Sequence, residues 1–199
     1  TETMAKSLRY NCYARYGLHP KVTNTALANG EEILNAAQGA GRGVVLVAYH
    51  DLIADKFDHP RLKGAFLIGG VHTYLAYHQI RNPDIQATLF AQQLHGAHQQ
   101  LRAGGLVQIL PDGHIGRGAG IRVDFQGRHC HFRSTFAELA LMTGTAVVAV
   151  AGEIDHQGQV QLNLLGPLDA GAETMPQAER VARLVYQYVA LLNQMWTKT

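Results

Sequence analysis

A histidine five residues ahead of an aspartate follows an apolar run in the stretch VVLVAYHDLIAD, which carries His50, Asp51 and Asp55. On a straight helix, residues five apart stand about 140° around the axis, so their side chains do not meet. A strand that ends at His50 and turns into a new helix brings Asp55 back to the imidazole. The carboxylate then accepts the hydrogen of one ring nitrogen and leaves the other basic toward a cleft, as a general base requires. A plain turn histidine, with Asp51 or Asp55 capping the next helix, uses the same residues. Neighbouring motifs must decide between the two.

The charged residues downstream form a second constellation. Arg102, Arg117, Arg122, Arg128 and Arg133 face only Asp112 and Asp124 as acids between residues 102 and 137. Such a field suits a phosphate-bearing or acidic partner, and a solvated surface would carry it equally well. Within GHIGRGAG, Arg117 is the residue whose guanidinium fits phosphate oxygens, although the loop lacks the Lys and Ser/Thr of a nucleotide-binding P-loop. As a plain turn it needs no ligand. Eleven histidines make pairs such as His95 with His98 and His129 with His131 expected by coincidence, so no metal site is assigned. Cys12 and Cys130 are too far apart for a Cys-x-x-Cys site. Ser134 is not in a G-x-S-x-G elbow, and Cys130 reads as a strand residue, so no protein nucleophile stands out.

These residues need elements to place them. With 199 residues, nearly half of them apolar, the chain suits one core and one domain. Residues 1–40 read as a helical segment, with one helix over about 2–16 and a second opened by Asn29 and closed by Gly39. Residues 41–199 read as the catalytic core. VVLVAY has the unbroken apolar character of a strand covered on both faces, and AFLIG and HTYLAYH are further strand candidates. Asn82 and Pro83 open a helix to about Ala103, with Ile85, Leu89, Phe90, Leu94, Ala97 and Leu101 on one stripe.

LVQIL is another buried strand. IRVDF and RHCHF flank Gln126 and Gly127 as a hairpin. Thr135 and Glu138 have capping-box spacing ahead of a helix that stops at Gly144. AVVAVAG and QVQLNLL precede a last helix begun by Pro176 with Val181, Leu184, Val185, Tyr188, Leu191 and Leu192 inward. Alternating strands and helices predict an α/β domain with a mostly parallel central sheet flanked by helices. Ligands of such sheets gather at the carboxyl ends of strands, where His50 and Asp112 both fall.

The order of motifs resembles the lipid A late acyltransferases, the lauroyl and myristoyl transferases of the wider lysophospholipid acyltransferase superfamily. Ile109–Asp112 matches the family's I-L-P-D strand end, Gly116–Gly120 its Gly/Arg-rich turn, and Val123–Arg128 its hairpin. Thr143 and Gly144 match the helix end, and Val147 with Val148 the following strand. His50 to Asp55 fits the superfamily's His-x4-Asp pattern, YHQIRNP over 77–83 is similar to Y-R-P-x-R-N-P, and Trp196 lies near the end of the last helix. The likeness covers roughly residues 40–196. Departures are Leu52–Ala54 in place of G-N-W and His78 in place of an arginine, both of which bear on the acceptor.

The resemblance implies an acyltransferase that takes an acyl group from a thioester, acyl-CoA or acyl carrier protein, to a hydroxyl or amine of a small-molecule or lipid acceptor. In that implied scheme His50 is the base and Asp55 its partner. Asp112 shapes the cleft, and Arg117, Arg133 and His78 bind substrate. A thioester hydrolase and a non-catalytic lipid or carrier-binding module are the alternatives. No cofactor is implied beyond the phosphopantetheine arm of the donor, and no metal. A net charge of +2 argues against general nucleic-acid binding. No apolar run reaches the roughly 20 residues of a membrane span, and cysteine usage suits a reducing cytoplasm, with peripheral contact at the inner face of the membrane.

Overall fold

Five consecutive buried residues, Val44–Ala48, form the strand at the centre of the protein. In the computed structural model, residues 25–39, 41–49, 59–62, 65–68, 83–112, 120–154 and 160–197 are described. Their elements are β1 (Thr25–Asn29), α1 (Glu31–Gln38), β2 (Val44–Ala48), β3 (Phe66–Ile68), α2 (Pro83–Arg102) and β4 (Leu106–Ile109). They continue through β5 (Ile121–Phe125), β6 (Arg128–Phe132), α3 (Thr135–Thr143), β7 (Ala146–Ile154), β8 (Val160–Leu165) and α4 (Gln177–Thr197).

The main sheet has the order β1-β8-β7-β2-β4-β3, and β5 and β6 form a separate two-stranded sheet. β2 runs parallel to β4 on one side and to β7 on the other, with Val47 opposite both Ile109 and Ala149. β3 also pairs β4 in parallel, and β1 pairs β8 in parallel. The exception is β7 with β8, which is antiparallel. Five residues separate Ile154 from Val160, too few for the crossover that a parallel pair demands. An α/β domain with a mostly parallel sheet is thus what the chain forms.

Successive residues of β2 serve opposite faces, as a pleated strand requires. Val45 and Val47 join Val107, Ile109, Val147 and Ala149 under α2, α3 and α4, which contribute Leu101, Phe136, Val185 and Tyr188. Val44, Leu46 and Ala48 join the other cluster with Leu34 of α1, Leu62, Leu162 and Leu164. Each fully buried leucine stabilises the fold by about 1.5–3 kcal/mol. Arg61 fastens its segment to α1 through Glu31 Oε1 at 3.0 Å and Asn35 Oδ1 at 2.7 Å.

The hairpin is present in the anticipated register, Ile121 opposite Phe132 and Phe125 opposite Arg128. Its two-residue turn has Gln126 at φ 52° and Gly127 at φ 72°, the left-handed pair that matches strand twist. α3 ends at Gly144 with φ 62°. α4 presents Val181, Leu184, Val185, Tyr188 and Leu192 to the core, with Leu191 half-buried.

Other expectations are corrected. Residues 25–29 of the segment read as helical are a strand of the main sheet, so the N-terminal helical unit does not stop short of the core. Ala26, Leu27 and Ala28 favour helix locally, and pairing with β8 overrides that preference. Asn29 is therefore the last strand residue, and α1 starts from Gly30 at φ 99°. A Cβ on Gly30 would lie 2.4 Å from that of Leu164, so both the backbone angle and the space call for glycine. α3 has Ser134 rather than Thr135 at its head. The Ser134 hydroxyl donates to Glu138 Oε1 at 2.7 Å instead of accepting from a backbone N–H. Along α2 the apolar stripe is buried only toward its end, at Ala97 and Leu101, while Ile85 is 49 % exposed. The helix over 2–16 and the strand HTYLAYH lie outside the described residues.

Candidate active site at the strand exits

β2 and β4 are neighbours running the same way, so their carboxyl ends open side by side. The chain leaves β2 through Tyr49, which directly precedes His50. It leaves β4 through Leu110, Pro111 and Asp112. Leu110 and Pro111 are buried and Asp112 is half-buried.

The hairpin folds back over this edge. The Arg133 N–H donates to the Pro111 carbonyl at 2.8 Å, which ties the end of β6 to the end of β4. Two residues anticipated at the site, Asp112 and Arg133, are therefore brought to one place by a backbone hydrogen bond, and Arg133 is also half-buried. The inward residues of the hairpin, Val123, Phe125 and Phe132, are buried, while Arg122, Asp124, His129 and His131 alternate outward. His129 and His131 do share a face, but His129 Nδ1 pairs with Asp124 across the strands. No group of three or more metal-ligating side chains converges among the described residues.

Aromatic packing joins the hairpin to β2. The Tyr49 ring lies 5.7 Å from that of Phe125 and 6.5 Å from that of Phe132, both tilted. Phe132 meets Tyr188 edge-on at 6.1 Å, and Tyr188 meets Phe136 at 5.8 Å. Such pairs contribute about 0.5–1.5 kcal/mol each beyond area burial. The far end of the hairpin is held by α4: Asn193 Oδ1 accepts from the Gln126 N–H at 3.1 Å and from Gln126 Nε2 at 3.2 Å. Asn193 Nδ2 donates to the Asp124 carbonyl at 3.1 Å.

His50, Asp51, Asp55, His78 and Arg117 lie outside the described residues. Tyr49 and Asn193 are site-associated residues that reading the sequence did not single out. Tyr49 is hidden as the end of an apolar run, and an asparagine on a helix, 67 residues from its partner, carries no local signal.

No match to the chain was found among curated proteins. The family model described as "Bacterial lipid A biosynthesis acyltransferase" matches residues 78–197. That span runs from ahead of α2 to the end of α4, taking in Asp112, the hairpin, Arg133 and Asn193; it begins after His50 and Asp55. No helix among the described residues is long and apolar enough to cross a membrane. With more than half its length matched, the chain belongs to the bacterial lipid A biosynthesis acyltransferase family.

Proposed function

We propose that the protein transfers an acyl group from a thioester, acyl-CoA or acyl carrier protein, to a hydroxyl or amine at the paired exits of β2 and β4. The observation that supports this reading is the backbone hydrogen bond from the Arg133 N–H to the Pro111 carbonyl, which sets Arg133 beside the β4 exit where Asp112 follows Pro111. His50 directly follows Tyr49, the residue that leaves β2, in the chain.

In the proposed reaction, His50 takes the proton from the acceptor hydroxyl or amine as the acceptor atom bonds to the thioester carbonyl carbon. The tetrahedral intermediate collapses with cleavage of the carbon–sulfur bond, and the departing thiolate recovers a proton from the imidazolium. Asp55 holds the imidazole tautomer and stabilises its positive charge. Direct transfer requires no protein nucleophile and no cofactor of the protein's own; the phosphopantetheine arm arrives with the donor. Arg117, Arg133 and His78 bind substrate, the arginines through phosphate oxygens, and Asp112 shapes the cleft. The setting proposed is the cytoplasm, with peripheral contact at the inner face of the membrane.

The test presents purified protein with acyl-CoA and acyl carrier protein thioesters and a panel of amine and alcohol acceptors, with products identified by mass. Acceptor-dependent acyl product is expected, and His50→Ala should lower its rate by roughly 10²- to 10⁴-fold while leaving the fold intact. Release of free acid at the same rate with and without acceptor would assign hydrolysis instead. Near-normal turnover by folded His50→Ala protein would remove the dyad.

A further inference from the structure

We propose that Asn193 of α4 is a positioning residue for acyl transfer, acting through the β5–β6 hairpin on the exits of β2 and β4. This rests on the reading that transfer takes place at those exits.

A two-stranded hairpin is marginally stable alone and must be held by what it packs against. At its base, the Arg133 N–H to Pro111 bond fastens it to β4. At its tip, the side chain of Asn193 accepts from the backbone and side chain of Gln126 and donates to the Asp124 carbonyl. One amide thus uses both its acceptor and its donor to clamp the turn. The post it stands on is firm: Leu192, the preceding residue, is 2 % exposed, and Tyr188 and Val185, one and two turns back, are fully buried.

Between the two clamped residues in sequence lies Phe125. Its ring packs on Tyr49, and Phe132 from the partner strand packs on the same tyrosine. Tyr49 is the residue before His50. Asn193 therefore fixes the tip, the tip fixes Phe125, and Phe125 with Phe132 fixes the end of β2. A tip released from α4 can swing about its base, carrying the aromatic contact with it. Misplacement of about 1 Å at a reacting group costs on the order of 10²-fold in rate. The coupling runs through rigid packed contacts and needs no contact between Asn193 and substrate.

Three variants grade the clamp. Asn193→Ala removes the bonds to Gln126 and Asp124. Asn193→Asp keeps an acceptor oxygen and loses the donor, and Gln126→Gly removes one side-chain bond while suiting the left-handed backbone. Transfer is measured well below each thermal midpoint, with rates normalised to folded protein and KM determined for donor and acceptor. The kcat of Asn193→Ala should fall by about tenfold or more, Asn193→Asp should lose less, and Gln126→Gly should stay within about twofold, with KM values little changed. A merely structural role would lower the midpoint and leave kcat per folded molecule as it was.

The second readout is the ring resonances of Tyr49, which sense the currents of Phe125 and Phe132. They should move most in Asn193→Ala, in the same order as the loss of kcat. Should Asn193→Ala fail to fold, Asn193→Asp and Gln126→Gly carry the same comparison. Unmoved Tyr49 resonances, unchanged kcat, or a loss confined to KM would each overturn the inference. If the parent transfers no acyl group at all, the functional reading fails on its own, and Asn193 has lost its proposed role with it; moved or unmoved Tyr49 resonances then report only whether the clamp reaches β2.

Discussion

Asp51 and Asp55 both follow His50 closely, and their chemistry separates them. If Asp55 accepts the imidazole hydrogen, Asp55→Asn replaces an acceptor with a group that can also donate, which favours the wrong tautomer and should depress kcat by roughly 10⁴-fold. Asp51→Asn should be far milder. Equal losses would mean either that Asp55 is the wrong carboxylate or that both only cap a following helix, at a cost of about 1 kcal/mol of stability each. Arg133 calls for a different measurement, because its backbone is fixed by Pro111 whatever its side chain does. Arg133→Ala and Arg117→Ala should raise KM for the phosphate-bearing substrate and leave kcat nearly unchanged, as loss of uniform binding does. Lysine at either position should restore only part of the affinity, since an ammonium keeps the charge but not the planar fork. Titration of donor and acceptor separately identifies which molecule carries the phosphate, and an unchanged KM for both would take that arginine out of the site.

The elements meet at a few points where nothing larger than hydrogen fits, and Gly43 is one. Its N–H donates to the Leu101 carbonyl at 2.9 Å, and the next residue, Val44, donates to the Gly105 carbonyl at 3.1 Å. These bonds lay the start of β2 against the turn between α2 and β4. A Cβ on Gly43 would stand 2.3 Å from the Gly105 oxygen and 2.7 Å from Leu101 Cα, both backbone atoms that no rotamer change can move. Gly43→Ala should therefore destabilise by about 1–3 kcal/mol, lowering Tm by roughly 2–12 °C. At Gly41, φ is 73° with open space around the absent Cβ, so Gly41→Ala should cost about 1 kcal/mol through its backbone alone. Thermal unfolding of the two variants should rank them in that order. Much at this scale was legible beforehand: the run VVLVAY, the Gln126–Gly127 turn, the glycine stop of α3 and the inward stripe of α4 each carry their cause in neighbouring residues. β1 was not, because TALAN becomes a strand only by pairing with β8, more than a hundred residues away in the chain. The Asn193 clamp carries no local signal for the same reason, whereas the positions of Asp112, three residues past β4, and Arg133, directly after β6, follow from strands with a clear pattern.

The whole molecule closes through the segment between β8 and α4, and there its stability acquires a dependence on pH. Leu168 N–H donates to the Val147 carbonyl at 2.8 Å, which joins this segment to β7 at the middle of the sheet. One residue on, Asp169 joins it to α4. Its N–H donates to Gln187 Oε1 at 3.0 Å, its carbonyl accepts from Gln187 Nε2 at 2.6 Å and from Arg183 Nε at 3.1 Å, and its carboxylate pairs with the Arg183 guanidinium. The Gly171 N–H, at 2.8 Å, and then Arg183 hold the Asp169 carboxyl below its ordinary value of 3.8. A carboxyl depressed in the folded state stabilises that state above its unfolded pKa and ceases to do so as the pH falls through its folded pKa. The contribution of Asp169 should thus be complete at neutral pH, begin to decline near 3.8, and vanish below the lowered folded value. Both side chains are substantially exposed, so salt should weaken the ion pair, while the hydrogen bond from Gly171 persists. Denaturation of the parent and Asp169→Asn across pH 2–7 tests this: the stability gap should be constant at the neutral end and narrow as the acid limb is entered. Arg183→Ala should narrow the same gap only in part, because the backbone donor of Gly171 remains and is the larger cause of the depression. A gap that stays constant down to the lowest pH would show that the carboxylate's ionisation does not hold this segment to α4.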